Sequence, residues 1–182
     1  MTFYGAKEMA AAFRTVRANT LVIANELAEE HYGFNPAVGT RTAGQLLLHI
    51  AMSSEMAEQI HKTEHRSTLE GFNFPAFMQR VMAEEKKPHT KAEIVGLLTQ
   101  NGERFAGWLE TVSDAFLAET VAMPPGASPA SKTRFEMLLG VKEHEMHHRA
   151  QLMLIQRMTG GIPHLTRQMM ERMAAMQQKA SA

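Results

Sequence analysis

The sequence predicts an all-α fold: a four-helix bundle with an extra helix at the C-terminus. Three observations carry this. Apolar residues recur at helical spacing through almost all of the 182 residues, strand-like alternation is nearly absent, and three helix starts share one capping signature. The composition agrees, since 45% hydrophobic and 21% charged residues describe a globular chain of the size of one domain over 1–182.

The first helix is read over 6–30, where Met9, Phe13, Val16, Ile23 and Leu27 fall on one stripe, and the run Tyr32-Gly33-Phe34-Asn35-Pro36 stops it. Thr42 with Gln45, Thr90 with Glu93 and Thr133 with Glu136 are capping boxes. In each, the Thr hydroxyl and the third residue's side chain answer backbone N–H groups that the first turn leaves without a partner. They open helices over 42–62, 90–112 and 133–159, the last ended by Gly160-Gly161. The connection 62–89 contains Gly71, Pro75 and Pro88 and a short helix near 76–84. A connection that long can return along the bundle, so the second and third helices need not be antiparallel. The Pro- and Ser-rich stretch 122–131 reads as a mobile loop. Beyond Pro163, the stripe Leu165, Met169, Met173 and Met176 makes a C-terminal arm over about 164–182, read as packing on the bundle or on a second subunit.

Composition excludes several functions. With no cysteine there is no disulfide, no thiolate metal site and no cysteine nucleophile. Lys plus Arg equals Asp plus Glu at 19 each, which argues against a nucleic-acid partner. Residues 1–15 show no basic stretch followed by an apolar run, and the apolar stretch 46–52 is interrupted by His49. Neither a secretory signal nor a membrane span is therefore expected, and the reading is cytoplasmic. The one excess is histidine, nine residues against one Trp and two Tyr.

His144 and His148 lie four apart, hence on one face of the fourth helix, and Met137, Val141, Leu152 and Ile155 continue that face as its apolar stripe. A single His on such a stripe reads as a core residue; a pair reads equally as two metal ligands. His49, in the middle of the stripe Leu46, Met52, Ser53, Met56 and Ile60, can complete a three-imidazole site with coordination positions open to water or substrate. Neutral imidazoles suit zinc, nickel, copper or ferrous iron.

Two other motifs share this window. His144-Glu145-Met146-His147-His148 satisfies the H-E-x-x-H pattern of zinc peptidases, but its extension fails at Gln151 and Leu154. Glu145-x-x-His148 with Glu58-x-x-His61 resembles the pair of motifs in di-iron bundles. Glu58 lies nine residues after His49, on the opposite side of its helix at roughly 100° per residue, and is expected to face solvent. His61 and His65 read as a solvated helix end, His31 as a helix terminus, and His89 and His164 as turn residues without a nameable partner. His147 points a quarter turn from His148, as a support or surface residue. Arg149 and Gln151 are placed to orient an anionic ligand or a ligating imidazole.

Two segments carry a family resemblance. Arg41-Thr42-Ala43-Gly44-Gln45-Leu46-Leu47-Leu48-His49-Ile50-Ala51 and His144-Glu145-Met146-His147-His148-Arg149-Ala150-Gln151-Leu152 resemble the two ligand helices of the DinB/YfiT-like superfamily of small bacterial metal-binding bundles, with Ala150 where that family commonly has Gly. The resemblance implies an up-down-down-up bundle, one divalent ion (Zn, Ni or Fe) on His49, His144 and His148, and a homodimer. It also implies thiol-dependent S-transferase, isomerase or hydrolase chemistry on a small molecule, with a low-molecular-weight thiol as cosubstrate. Glu145 or His147 would then move protons. The alternative is a non-enzymatic metal- or ligand-binding bundle.

Overall fold

The computed structural model describes residues 4–180; the first three and last two residues of the expected single domain lie outside them. Helix α1 spans Ala6–Glu26 and is followed by a 3₁₀ turn at Glu29–His31. Helix α2 spans Ala43–Met52, and α3, Glu55–Ala57, runs into a π-helical turn at Glu58–Thr63. Then come α4 (Phe74–Glu85), α5 (Lys91–Leu109), α6 (Asp114–Ala118), the strands β1 (Thr120–Ala122) and β2 (Ser131–Thr133), α7 (Arg134–Met158) and α8 (His164–Ala180). The two strands pair antiparallel, with Thr120 opposite Thr133, and bracket the Pro- and Ser-rich stretch. The sequence pattern gives no sign of them, because three residues are too few to show alternation.

All three capping boxes form. Thr42, Thr90 and Thr133 each accept from the N–H three residues on at 3.2 Å, and Gln45, Glu93 and Glu136 return a bond to the Thr N–H at 3.0, 2.7 and 2.7 Å. The stripe of α1 is buried as expected. One core layer joins Ile23 of α1 and Leu27 just beyond its end, Leu47 and Ile50 of α2, Ile94 and Leu98 of α5, and Leu152 and Ile155 of α7. A second joins Met9 and Phe13 to Ala57, Phe105, Leu109, Leu138 and Val141. Each fully buried Leu, Ile or Phe here contributes roughly 1.5–3 kcal/mol.

A single buried side chain ties α1, α2, α5 and α7 together. Arg17, 4% exposed, donates from Nε and Nη2 to Glu145 of α7, from Nη1 to the Leu98 carbonyl at 2.6 Å and from Nη2 to the Ile50 carbonyl at 3.2 Å. Gly102 on α5 makes room for it: a Cβ there would lie 2.9 Å from Arg17 Nη1.

The second predicted helix is not one continuous α-helix over 42–62. It breaks at Ser53-Ser54, and the π turn that follows closes i→i+5 rings, as in Glu64 N–H to Gln59 carbonyl at 2.9 Å. Break and wider turn together re-phase the residues beyond them. Two expectations fall with the register. Glu58 is not solvated: it is 9% exposed and held by Arg104 at 2.8 Å. His61, expected at a wet helix end, is 1% exposed and accepts at Nδ1 from Arg134 Nη1, 3.0 Å away. His164 also has a partner, Asn19 Oδ1 at 2.9 Å from its Nε2. Among the described residues no helix is long and apolar enough to cross a membrane.

Candidate metal centre

His49 enters the site from the middle of α2, held in place by the cap at Thr42 and by Leu46 and Leu47 packed against the core. His144 and His148 enter from one face of α7, one turn apart. The three imidazoles converge, with one nitrogen from each lying within 4.8 Å of the others. His144 Nε2 stands 3.3 Å from His49 Nε2 and 3.0 Å from His148 Nε2. His49 and His148 are each 9% exposed; His144 is the most open of the three.

The far side of two rings is fixed by side chains that can only accept there. His49 Nδ1 lies 2.7 Å from Glu85 Oε1, and His148 Nδ1 lies 2.8 Å from Gln151 Oε1. A carboxylate or amide oxygen accepts, so each Nδ1 carries its proton and each Nε2 turns a lone pair to the centre. His144 Nε2 therefore faces two lone pairs, and a single N–H satisfies at most one of them. Protons do not fill the gap readily. Burial, together with the neighbouring imidazoles, pushes the His144 ring down to about 4. Burial also holds His49 and His148 below the usual histidine range, against the hydrogen bonds to Glu85 and Gln151 that pull them up.

These residues fit a divalent ion. Metal–nitrogen bonds of about 2.0–2.1 Å place ligand nitrogens about 3.3 Å apart at a tetrahedral angle and about 2.9 Å apart at a right angle, and the two contacts observed are 3.3 and 3.0 Å. The donor set is three neutral nitrogens with no carboxylate among them.

Glu85 is the residue that sequence reasoning missed. It ends α4, which packs on α2 through Val81, Leu48 and Met52, and it is 7% exposed. Arg41 donates to it from Nε at 2.7 Å and Nη2 at 3.2 Å. In sequence it belongs to the run Glu84-Glu85-Lys86-Lys87, which reads as a solvated face; only the return of the long connection onto α2 reveals it.

The other anticipated residues separate. Gln151 Oε1 accepts from His148 Nδ1, and its Nε2 reaches exposed His147 at 3.3 Å. Arg149 is half-buried and touches none of the three imidazoles through a hydrogen bond or ion pair. Glu145 departs from the expected proton-transfer role: it is fully buried, with its oxygens taken by Arg17 at 2.9 Å and Thr20 at 2.7 Å. The peptidase-like pattern thus lacks a free base, and Glu58 and His61 of the di-iron-like pattern are bound to Arg104 and Arg134.

A cleft of about 540 Å³ opens beside His148 and Glu85, with Leu46, Met82, Leu154 and Ile155 in its wall. It gives the site a way in from solvent.

The model of the DinB superfamily matches residues 12–152, which contain all three imidazoles. The crystal structure of a DinB-like protein (YjoA) from Bacillus subtilis superposes with a TM-score of 0.61 at 21% identity, covering 84% of this chain and 92% of that one. That likeness is one of fold. No curated protein matches the chain. The family match reaches from the second turn of α1 to the ligand turn of α7, and the chain belongs to the DinB superfamily.

Proposed function

We propose that this protein is a divalent-metal-dependent enzyme with an open three-His site, acting on a small molecule by thiol-dependent S-transfer or a related isomerisation or hydrolysis. The observation that carries the reading is the convergence of three Nε2 atoms on one point, two of them tautomerically fixed from behind. A divalent ion at such a site supplies Lewis acidity, which brings deprotonation of a water or thiol toward neutral pH. The chain does the rest. Glu85, itself clamped by Arg41, holds His49; Gln151 holds His148 and links it to His147, which is exposed to solvent. The cleft admits the reactants. As the chain has no cysteine, the sulfur of any thiol chemistry arrives on a cosubstrate.

The order of residues in the two core layers supports an up-down-down-up bundle, because α1 and α7 meet the layers in one sequence order, and α5 and the segment from α2 into α3 in the reverse. A homodimer is supported by α8. Its root is pinned to α1 by His164 on Asn19 and Arg167 on Glu26, yet residues 168–180 are exposed throughout, with Met169, Met173 and Met176 on one stripe. A helical segment of that length is marginal alone in water and gains by packing on a second copy.

Metal analysis of the purified protein tests the site. One divalent ion per chain is expected, lost in His49→Ala, His144→Ala and His148→Ala; full retention by all three variants overturns the assignment. Assays pairing common cellular thiols with electrophiles test the chemistry. Stoichiometric metal without turnover of any thiol, ester or amide would make the protein a binding module instead.

A further inference from the structure

The polar chemistry of the cleft beside the imidazoles is one-sided. Apart from the imidazole nitrogens that face the ion site, its side-chain acceptors are already taken. Both Glu85 oxygens are held by Arg41 and His49. The Gln151 oxygen accepts from His148, the Gln45 oxygen accepts from Thr42 in the cap of α2, and the Thr40 hydroxyl is bound inside its own loop to Asn35 and Ala37. What remains in the wall is a set of donors. Among the described residues, Lys86 Nζ, Arg41 Nη1 and Gln45 Nε2 have no hydrogen-bond or ion-pair partner. Charge points the same way. Arg41 is matched by Glu85, so the exposed Lys86 is an uncompensated cation at the wall. Four further wall residues are apolar: Leu46 and Ile155 are buried at 4% and 2%, while Met82 and Leu154 stand 48% and 56% exposed.

We infer that this cleft binds a small organic anion with an apolar body, the anionic group on Lys86 and the free edge of Arg41 and the body against Leu46, Leu154 and Ile155. The inference rests on reading the cleft as the ligand site of the proposed enzyme and names the substrate class of that site. A cavity of about 540 Å³ lies within the usual range for small-molecule sites, roughly 300–1,000 Å³. At the Lys86 and Arg41 end of the wall a cationic ligand would meet Lys86 without a counter-charge, and a ligand offering only donors would leave donor facing donor, so this end selects against both.

Three probes of one shape test this by calorimetric titration: 2-naphthoate, 2-naphthalenemethanol and 2-naphthylmethylamine. The full chain is used after treatment with a chelator, so that direct metal–carboxylate contact plays no part. Naphthoate is expected to bind roughly tenfold or more tightly than either analogue, the gain typical of a charge-assisted hydrogen bond. Lys86→Arg keeps this preference and Lys86→Glu abolishes or reverses it. His144→Ala keeps it as well, which separates this proposal from the metal assignment. Equal binding of the three probes, or a preference that survives Lys86→Glu, overturns the inference. Metal content of Lys86→Glu equal to that of the parent shows that the charge change left the imidazole cluster intact.

Discussion

Replacing Glu145 with Ala tests the structural role that displaced its expected catalytic one. The carboxylate is fully buried and takes bonds from Arg17 at 2.9, 3.1 and 2.9 Å and from Thr20 at 2.7 Å. Its removal leaves the Arg17 guanidinium, 4% exposed, with only the Ile50 and Leu98 carbonyls for partners and no counter-charge. Breaking a buried pair in this way costs about 3–5 kcal/mol. At roughly 2.1 cal/mol/K of unfolding entropy per residue, a chain of 182 residues loses about 0.4 kcal/mol per degree. The melting temperature should therefore fall by about 8–13 °C, read by calorimetry and checked by urea unfolding. The double variant Arg17→Met/Glu145→Leu, which removes both charges, should recover most of the loss, because desolvation of the pair offsets much of its attraction. Metal stoichiometry should be unchanged in both variants. A shift under about 2 °C for Glu145→Ala, or a double variant as unstable as the single one, would refute the reasoning. Activity lost at an unshifted melting temperature would return Glu145 to catalysis.

Two further outcomes follow from the geometry. Glu85→Ala frees the His49 ring and should weaken metal binding about 10- to 100-fold, measured by competition with a chromogenic chelator; unchanged affinity would mean that the ring is held by packing alone. His61 carries a pH dependence. Burial, with Arg134 beside it, pushes the ring down to about 4 from the ordinary 6.5, so between those values the unfolded chain binds the extra proton and stability falls as pH falls. The stability difference between the parent and His61→Gln, which keeps an acceptor for Arg134, should shrink by about 3 kcal/mol from pH 7 to pH 4. Urea unfolding at both pH values measures it, and a flat difference would count against the buried neutral imidazole.

Much of the fold is legible from local rules. A capping box needs three residues and a helical stripe needs one turn after another, so both are written in short windows; Thr42, Thr90 and Thr133 begin the helices they announce. The pairing of His144 with His148 is equally local, because four residues bring a side chain back to the same face. His49 joins them because the stripe around it is apolar and must face the core.

What the sequence pattern does not contain is the partner of a side chain far away in the chain. Arg17 and Glu145 meet across 128 positions, and His49 and Glu85 across 36. Desolvation decides both, since a buried charge must find an opposite charge or a hydrogen-bond donor and only the packed bundle determines which is near. The same holds for Glu58 and His61, whose burial depends on a break and a π turn that periodicity read as continuous helix. The sequence by itself determined where the long helices begin, the three Thr caps and the three imidazoles. Tertiary structure alone decided which carboxylates serve the site and which hold the bundle together, because that choice is made by burial and not by spacing along a helix.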